Sequence, residues 1–168
     1  MRRLLPILTL AMLLATLFAP AASAAPVYSQ WKNKKSGMCF AVSGGRMVNG
    51  QPIIQWPCND ASSEQFWTWS GSGTGKMVRS KKNPNFCLSV PNNWMSNGVQ
   101  LTIWTCQGAS GQLWYPPNLL DDPYAMIQRS ATELIVSVYG GSTAAGAKVV
   151  QWDLNWYPEQ LWRGKVLD

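Results

Sequence analysis

The sequence predicts an all-β fold of three repeats, each about 48 residues long, and three observations lead there. The first is a period. Cys39 and Cys87 stand 48 apart and the next step lands on Ile135; Cys58, Cys106 and Leu154 keep the same step, as do Trp56, Trp104 and Trp152. The second is a recurring Gln-x-Trp: Gln65-Phe66-Trp67, Gln112-Leu113-Trp114 and Gln160-Leu161-Trp162 fall at steps of 47 and 48. Turns hold the register too, with Asn49-Gly50 and Asn97-Gly98 matched by Ala145-Gly146. So many uncommon residues in register mark one repeated unit, whose copies together bury an apolar face that none could bury alone. The third observation is local. Cys39 to Val42, Ile53 to Trp56 and Gln65 to Trp69 are short runs rich in apolar, β-branched and aromatic residues, bounded by Gly, Asn, Ser or Pro, and such runs read as strands. No stretch after residue 25 sustains a helical period. Four strands per unit gives about twelve, expected as three hairpin-rich sheets around one core.

The chain opens on a different kind of segment. Arg2 and Arg3 precede an apolar run from Leu4 to Phe18, and Ala22-Ser23-Ala24 supplies small residues at a cleavage position. That order describes a secretory signal peptide, residues 1–24, cut after Ala24. The run is short for a membrane span, which takes about 20 residues. Cutting there leaves 168 − 24 = 144 residues, three units with nothing over for a second domain, and lowers the net charge from +6 to +4. The units divide the remainder at about 27–75, 76–123 and 124–168. So mild a basic bias is no nucleic-acid footprint, and nothing later in the chain is long and apolar enough to enter a bilayer. Four Cys in an exported chain point to two disulfides. A zinc site fits poorly, because there is no His and no closely spaced Cys pair.

Cys-x18-Cys followed by Gln-x-Trp, unit after unit, resembles the ricin-type β-trefoil lectin family over the whole expected mature chain. The resemblance implies a secreted β-trefoil with pseudo-threefold symmetry, sugar binding as its usual work, and no metal or cofactor. It also implies local disulfides, Cys39 with Cys58 and Cys87 with Cys106. Ile135 and Leu154 replace both Cys in the third unit, where an apolar pair of similar bulk is expected to fill the space. Trp67, Trp114 and Trp162 belong in the core.

In that family an Asp two residues after the first Cys accepts sugar hydroxyls. An aromatic two residues before the second Cys stacks on the ring, and a polar residue followed by the Gln completes the pocket. Here the aromatic stands as Trp56, Trp104 and Trp152, and the Gln as Gln65, Gln112 and Gln160, but the Asp positions hold Ala41, Ser89 and Ser137. Hydrogen bonds to a carboxylate are worth about 1.5–3 kcal/mol each, so the usual pocket is degraded. Glu64 and Glu159, just before the Gln, would return a carboxylate on the opposite wall of the first and third pockets, whereas the second has Gly111. The expected sugar contacts are Trp56, Glu64 and Gln65 in the first unit and Trp152, Glu159, Gln160 and Ser137 in the third, with Ser89, Trp104 and Gln112 weaker. Trp156-Tyr157, next to Glu159, makes the third pocket the most aromatic. Trp94 and Trp156 fall in loops, where a large ring either packs or binds.

Catalysis has little to draw on. Without His there is no Ser-His-Asp or Cys-His arrangement. A glycosidase needs two facing carboxylates roughly 5–9.5 Å apart; Glu64 and Glu159 belong to different units, and Asp121-Asp122 reads as a solvated turn between prolines. The chain is therefore expected not to be an enzyme. Lys32, Lys34 and Lys35 match Arg79, Lys81 and Lys82 ahead of the first Cys of two units, and Arg129 alone stands for them in the third. Such clusters suit an anionic glycan or cell-wall polymer. The expected partner is thus a glycan or cell-surface polysaccharide. The alternative is a protein-interaction or inhibitory trefoil that kept the fold and lost the sugar.

Overall fold

The computed structural model describes residues 25–117 and 123–166; the expected signal peptide and the Asp121-Asp122 pair lie outside them. In the first repeat the strands are β1 (Ser29–Asn33), β2 (Cys39–Val42), β3 (Ile53–Trp56) and β4 (Phe66–Ser70). The second has β5 (Met77–Ser80), β6 (Phe86–Ser89), β7 (Thr102–Thr105) and β8 (Trp114–Tyr115). The third has β9 (Gln128–Arg129), β10 (Ile135–Val138), β11 (Val149–Trp152) and β12 (Trp162–Val166). Two 3-10 turns recur in every repeat. One follows the second strand, at Ser43–Gly45, Pro91–Asn93 and Tyr139–Gly141; the other precedes the Trp strand, at Ser63–Gln65, Ser110–Gln112 and Pro158–Gln160.

The outer strands of the repeats close a barrel. β1 pairs with β4 and β12, β4 with β5, and β8 with β9, all antiparallel. Bridges Lys76↔Trp114 and Ala125↔Trp162 seal the two remaining seams. The inner strands make hairpins β2–β3, β6–β7 and β10–β11. These are joined to one another in turn by bridges Pro52↔Thr102, Ile54↔Lys148 and Gln100↔Val150. A six-stranded barrel with a triplet of hairpins is a β-trefoil. The expected three sheets are not what forms. β4 and β5 pair across the boundary between the first two repeats, so the ladders merge into one eight-stranded and one four-stranded sheet. Closure explains this, since a barrel strand must find a partner on both edges whichever repeat supplies it.

The core follows the Gln-x-Trp period. Trp67, Trp114 and Trp162 are 1%, 0% and 0% exposed, and each indole Nε1 donates to a backbone carbonyl one residue after the first Cys position: Phe40 at 3.4 Å, Leu88 at 3.2 Å and Val136 at 3.0 Å. A buried ring thus brings in its polar N–H already satisfied. Phe40 lies between two of them, its centroid 5.1 Å from Trp67 and 5.5 Å from Trp162.

Cys39 is bonded to Cys58 and Cys87 to Cys106, as the resemblance implied. The third unit departs from its expectation. Ile135 is buried, but Leu154 is 41% exposed, so the two do not fill an interior gap together. Cys58 is exposed as well, which shows that the second position of the pair is a surface position. A loop of about 20 residues makes a disulfide worth roughly 3 kcal/mol in the chain-entropy model. Cys87→Ala with Cys106→Ala should therefore lower the urea unfolding midpoint by that equivalent, and an unchanged midpoint would contradict it.

Candidate functional site

Each repeat builds one pocket from the same four pieces: the end of its second strand, the turn after it, the Trp near the end of its third strand, and the turn ahead of Gln-x-Trp. The first encloses about 350 Å³ between Ala41, Gly44, Gly45, Trp56 and Glu64. The third encloses about 310 Å³ between Ser137, Tyr139, Gly141, Trp152, Tyr157 and Glu159. The second encloses about 390 Å³ between Ser89, Asn92, Asn93, Trp104 and Gln107. Ligand pockets start near ~300 Å³, so each of these takes one ring-sized group and leaves the rest of a larger ligand in solvent.

Strand register sets the Trp. Trp56, Trp104 and Trp152 lie directly across from Cys39, Cys87 and Ile135. Each rests on the Gly turn of a neighbouring repeat: Trp104 against Gly50, Trp152 against Gly98 and Trp56 against Gly146. These glycines sit at φ +80°, +79° and +84°, a left-handed conformation that side chains disfavour. Trp56 and Trp104 nevertheless remain 48% and 41% exposed, while Tyr139 meets Trp152 edge-on at 6.1 Å. Packing fixes the ring and solvent reaches the rest of it, which is what a stacking platform requires.

The opposite wall differs among the repeats in a concerted way. In the third pocket Glu159 Oε2 accepts from Lys35 Nζ at 3.4 Å, and in the first Glu64 Oε2 lies 3.8 Å from Lys82 Nζ. Each Lys comes from the following repeat, with β1 following β12 around the closed barrel. The ammonium occupies room left by Gly45 and Gly141; a Cβ on Gly45 would stand 2.7 Å from Lys82 Nζ. Pairings Lys32↔Cys39, Arg79↔Cys87 and Gln128↔Ile135 make Lys35, Lys82 and Ala131 equivalent. In the second pocket all three positions change at once: Asn93 replaces the Gly, Gly111 the Glu and Ala131 the Lys. There the Asn93 side chain fills the space, and a Cβ on Gly111 would collide with its Oδ1. Partly exposed ion pairs contribute about 0–1 kcal/mol, so this one does little for stability. What it supplies is a held carboxylate on one wall; the Lys itself does not line the pocket.

The glutamines do other work than expected. Gln65, Gln112 and Gln160 are 1%, 2% and 0% exposed. Gln65 Nε2 donates to Pro57 O, and its Oε1 accepts from Asn59 N and from Gln30 Nε2 at 2.7 Å. Gln112 Nε2 donates to Thr105 O while its Oε1 accepts from Gln107 N, and Gln160 joins Asp153 O to Asn155 N in the same manner. Their amides hold the loop after the third strand, leaving Gln65 and Gln112 only as pocket floor. Ser137 and Ser89 line their pockets but are just 4% and 7% exposed, and Ser137 Oγ donates to Val138 O at 3.5 Å. The third pocket is aromatic through Tyr139 and Tyr157; Trp156 does not line it and stands 68% exposed.

Arg129 does not belong with the surface lysines. It is completely buried, and burial lowers its pKa from the ordinary guanidinium range. Among the described residues, no three His, Cys, Asp or Glu side chains gather to hold a metal ion.

A closed barrel with a hairpin triplet defines a β-trefoil, here with one ring-sized pocket per repeat. The chain belongs to the ricin-type β-trefoil lectin domain family, whose profile matches residues 27–162. Among solved structures it is similar to the designed three-fold symmetric protein ThreeFoil, with TM-score 0.76 and 22% identity over 82% of this chain and 96% of that one. It is also similar to a Macrolepiota procera ricin B-like lectin, solved with lactose, at TM-score 0.68 and 20% identity over 86% and 98% of the two chains. An exo-β-1,3-galactanase from Clostridium thermocellum matches at TM-score 0.78 and 25% identity over 84% of this chain, which spans only 30% of that enzyme. Among curated proteins none matches significantly.

Proposed function

We propose that this is a secreted, non-catalytic lectin that reads a glycan through its first and third pockets, without metal. The observation that carries the reading is the pairing, in those two pockets, of a fixed, solvent-accessible Trp with a Glu–Lys couple. A sugar ring has an apolar face and a rim of hydroxyls that both donate and accept. The indole suits the face; Glu159, held by Lys35, and Glu64, held by Lys82, suit a hydroxyl that donates to the carboxylate. The second pocket offers Asn93 instead and should bind most weakly. Disulfides are typical of exported proteins, which agrees with the expected signal peptide. The non-catalytic reading is supported by the absence of His from the chain and by the two pocket carboxylates lying in separate repeats, each beside a Lys. A glycan array carrying neutral, acidic and cell-wall sugars tests this directly. Binding that falls with Trp56→Ala and Trp152→Ala but holds with Trp104→Ala is the expected result. An array with no bound sugar would favour the protein-interaction reading instead.

A further inference from the structure

Trp94 lies outside all three pockets, on the loop after β6, and it is 58% exposed with Met95 beside it at 67%. More than half of Trp94 is open to solvent, yet the backbone behind it is fixed by buried side chains. Arg129 Nη1 donates to Trp94 O at 2.6 Å and Gln151 Nε2 donates to the same carbonyl at 2.9 Å. Arg129 Nη2 also donates to Asn93 O at 3.2 Å, and Gln151 Nε2 to Ser96 O at 2.9 Å. The Gln half of this anchor recurs elsewhere, as Gln55 Nε2 donates to Ser142 O and Ala144 O. The Arg half is peculiar to this turn, and burying a cation that no carboxylate among the described residues pairs with is costly. Arg129 takes the place that Asn33 and Ser80 hold in the other two, and Trp94 the place of Arg46 and Ser142. A costly anchor behind an exposed indole is what a preorganised contact needs.

The indole borders a cavity of about 490 Å³ that also meets Asn92, Gly98, Gln100 and Lys148. Asn92 is shared with the second pocket. Gly98 carries the ring of Trp152 and approaches Tyr139, so the cavity adjoins the third pocket across a single turn. Lys148 is its only charged lining residue, and among the described residues no carboxylate pairs with it.

We propose that this groove is a further saccharide subsite that takes the next residue of a chain seated in the third pocket, and that the residue it prefers carries a carboxylate. The ring stacks on Trp94 and the anion pairs with Lys148. This rests on the lectin reading but extends it, from one sugar per pocket to a two-residue acidic footprint.

Titration calorimetry on the intact chain with lactose and 6′-sialyllactose, and with galacturonate oligomers and their methyl esters, tests it. The ester pair changes the carboxylate alone, whereas the lactose pair adds a whole acidic residue to a common core. The acidic member should bind about tenfold more tightly, the value of one charge-assisted hydrogen bond. Lys148→Met should erase that preference. Trp94→Ala should weaken the acidic oligomer about as much while leaving lactose unchanged, with the same melting temperature as the parent. If lactose binding depends on Trp152 but neither Lys148→Met nor Trp94→Ala alters the acidic probe, the subsite is overturned and the lectin reading survives. If Trp94→Ala abolishes capture of a protein ligand and no glycan binds, both are overturned.

Discussion

Trp56→Ala combined with Trp152→Ala is expected to abolish retention on a glycan-coated surface, whereas each single change leaves measurable binding. Every pocket is shallow and open, so one site alone binds weakly. Two sites on a rigid trefoil make the second event intramolecular, and the resulting avidity exceeds single-site affinity by about 10²–10⁴-fold. Losing either Trp forfeits most of that gain, and losing both removes the binding itself. In a titration with free monosaccharide each single variant should lose only its own site. Surface plasmon resonance at graded glycan density separates the cases, since the single variants should approach the parent as density falls. Equal retention of the double variant and the parent would leave the pockets without a role.

Gly111→Glu should be the most destabilising single change in the second pocket, by about 1–3 kcal/mol. Gly111 is buried, and a side chain there meets Asn93 Oδ1 at once and Val90 O at 3.0 Å. Overpacking of this kind costs about 1–3 kcal/mol, and the carboxylate without its Lys adds about 0–1 kcal/mol more. Adding Asn93→Gly and Ala131→Lys recreates the first pocket's arrangement and should recover most of the loss, because the three residues act as one set. Urea denaturation of the single and triple variants gives the coupling. Additive effects would show that the three positions are independent.

Much of this was legible in the sequence. Trp67, Trp114 and Trp162 are placed in the core by the family resemblance of Gln-x-Trp, since the period alone also repeats the half-exposed Trp56 and Trp104. The pairing of Cys39 with Cys58 and of Cys87 with Cys106 was legible only through the family resemblance. The pocket walls were legible on one side only. Lys35 and Glu159 are 124 residues apart, and they meet because β1 closes on β12, a tertiary event with no local mark. The lysines therefore read as surface charge. Arg129 read the same way, since composition does not distinguish a solvated guanidinium from one buried against carbonyls. Gln65, Gln112 and Gln160 recur for a reason other than recognition: a buried amide can satisfy backbone donors and acceptors together in a tight loop. Asn93 and Gly111 lie 18 positions apart in the chain, and their exchange with Gly45 and Glu64 becomes visible only when the turns are superposed.

The most direct measurement is the stoichiometry of glycan binding. Calorimetry with a sugar identified on the array should give two sites per chain, falling to one in Trp56→Ala and one in Trp152→Ala, and staying at two in Trp104→Ala. Two sites that persist after both Trp56 and Trp152 are replaced, or a single site lost with Trp104, would contradict the account.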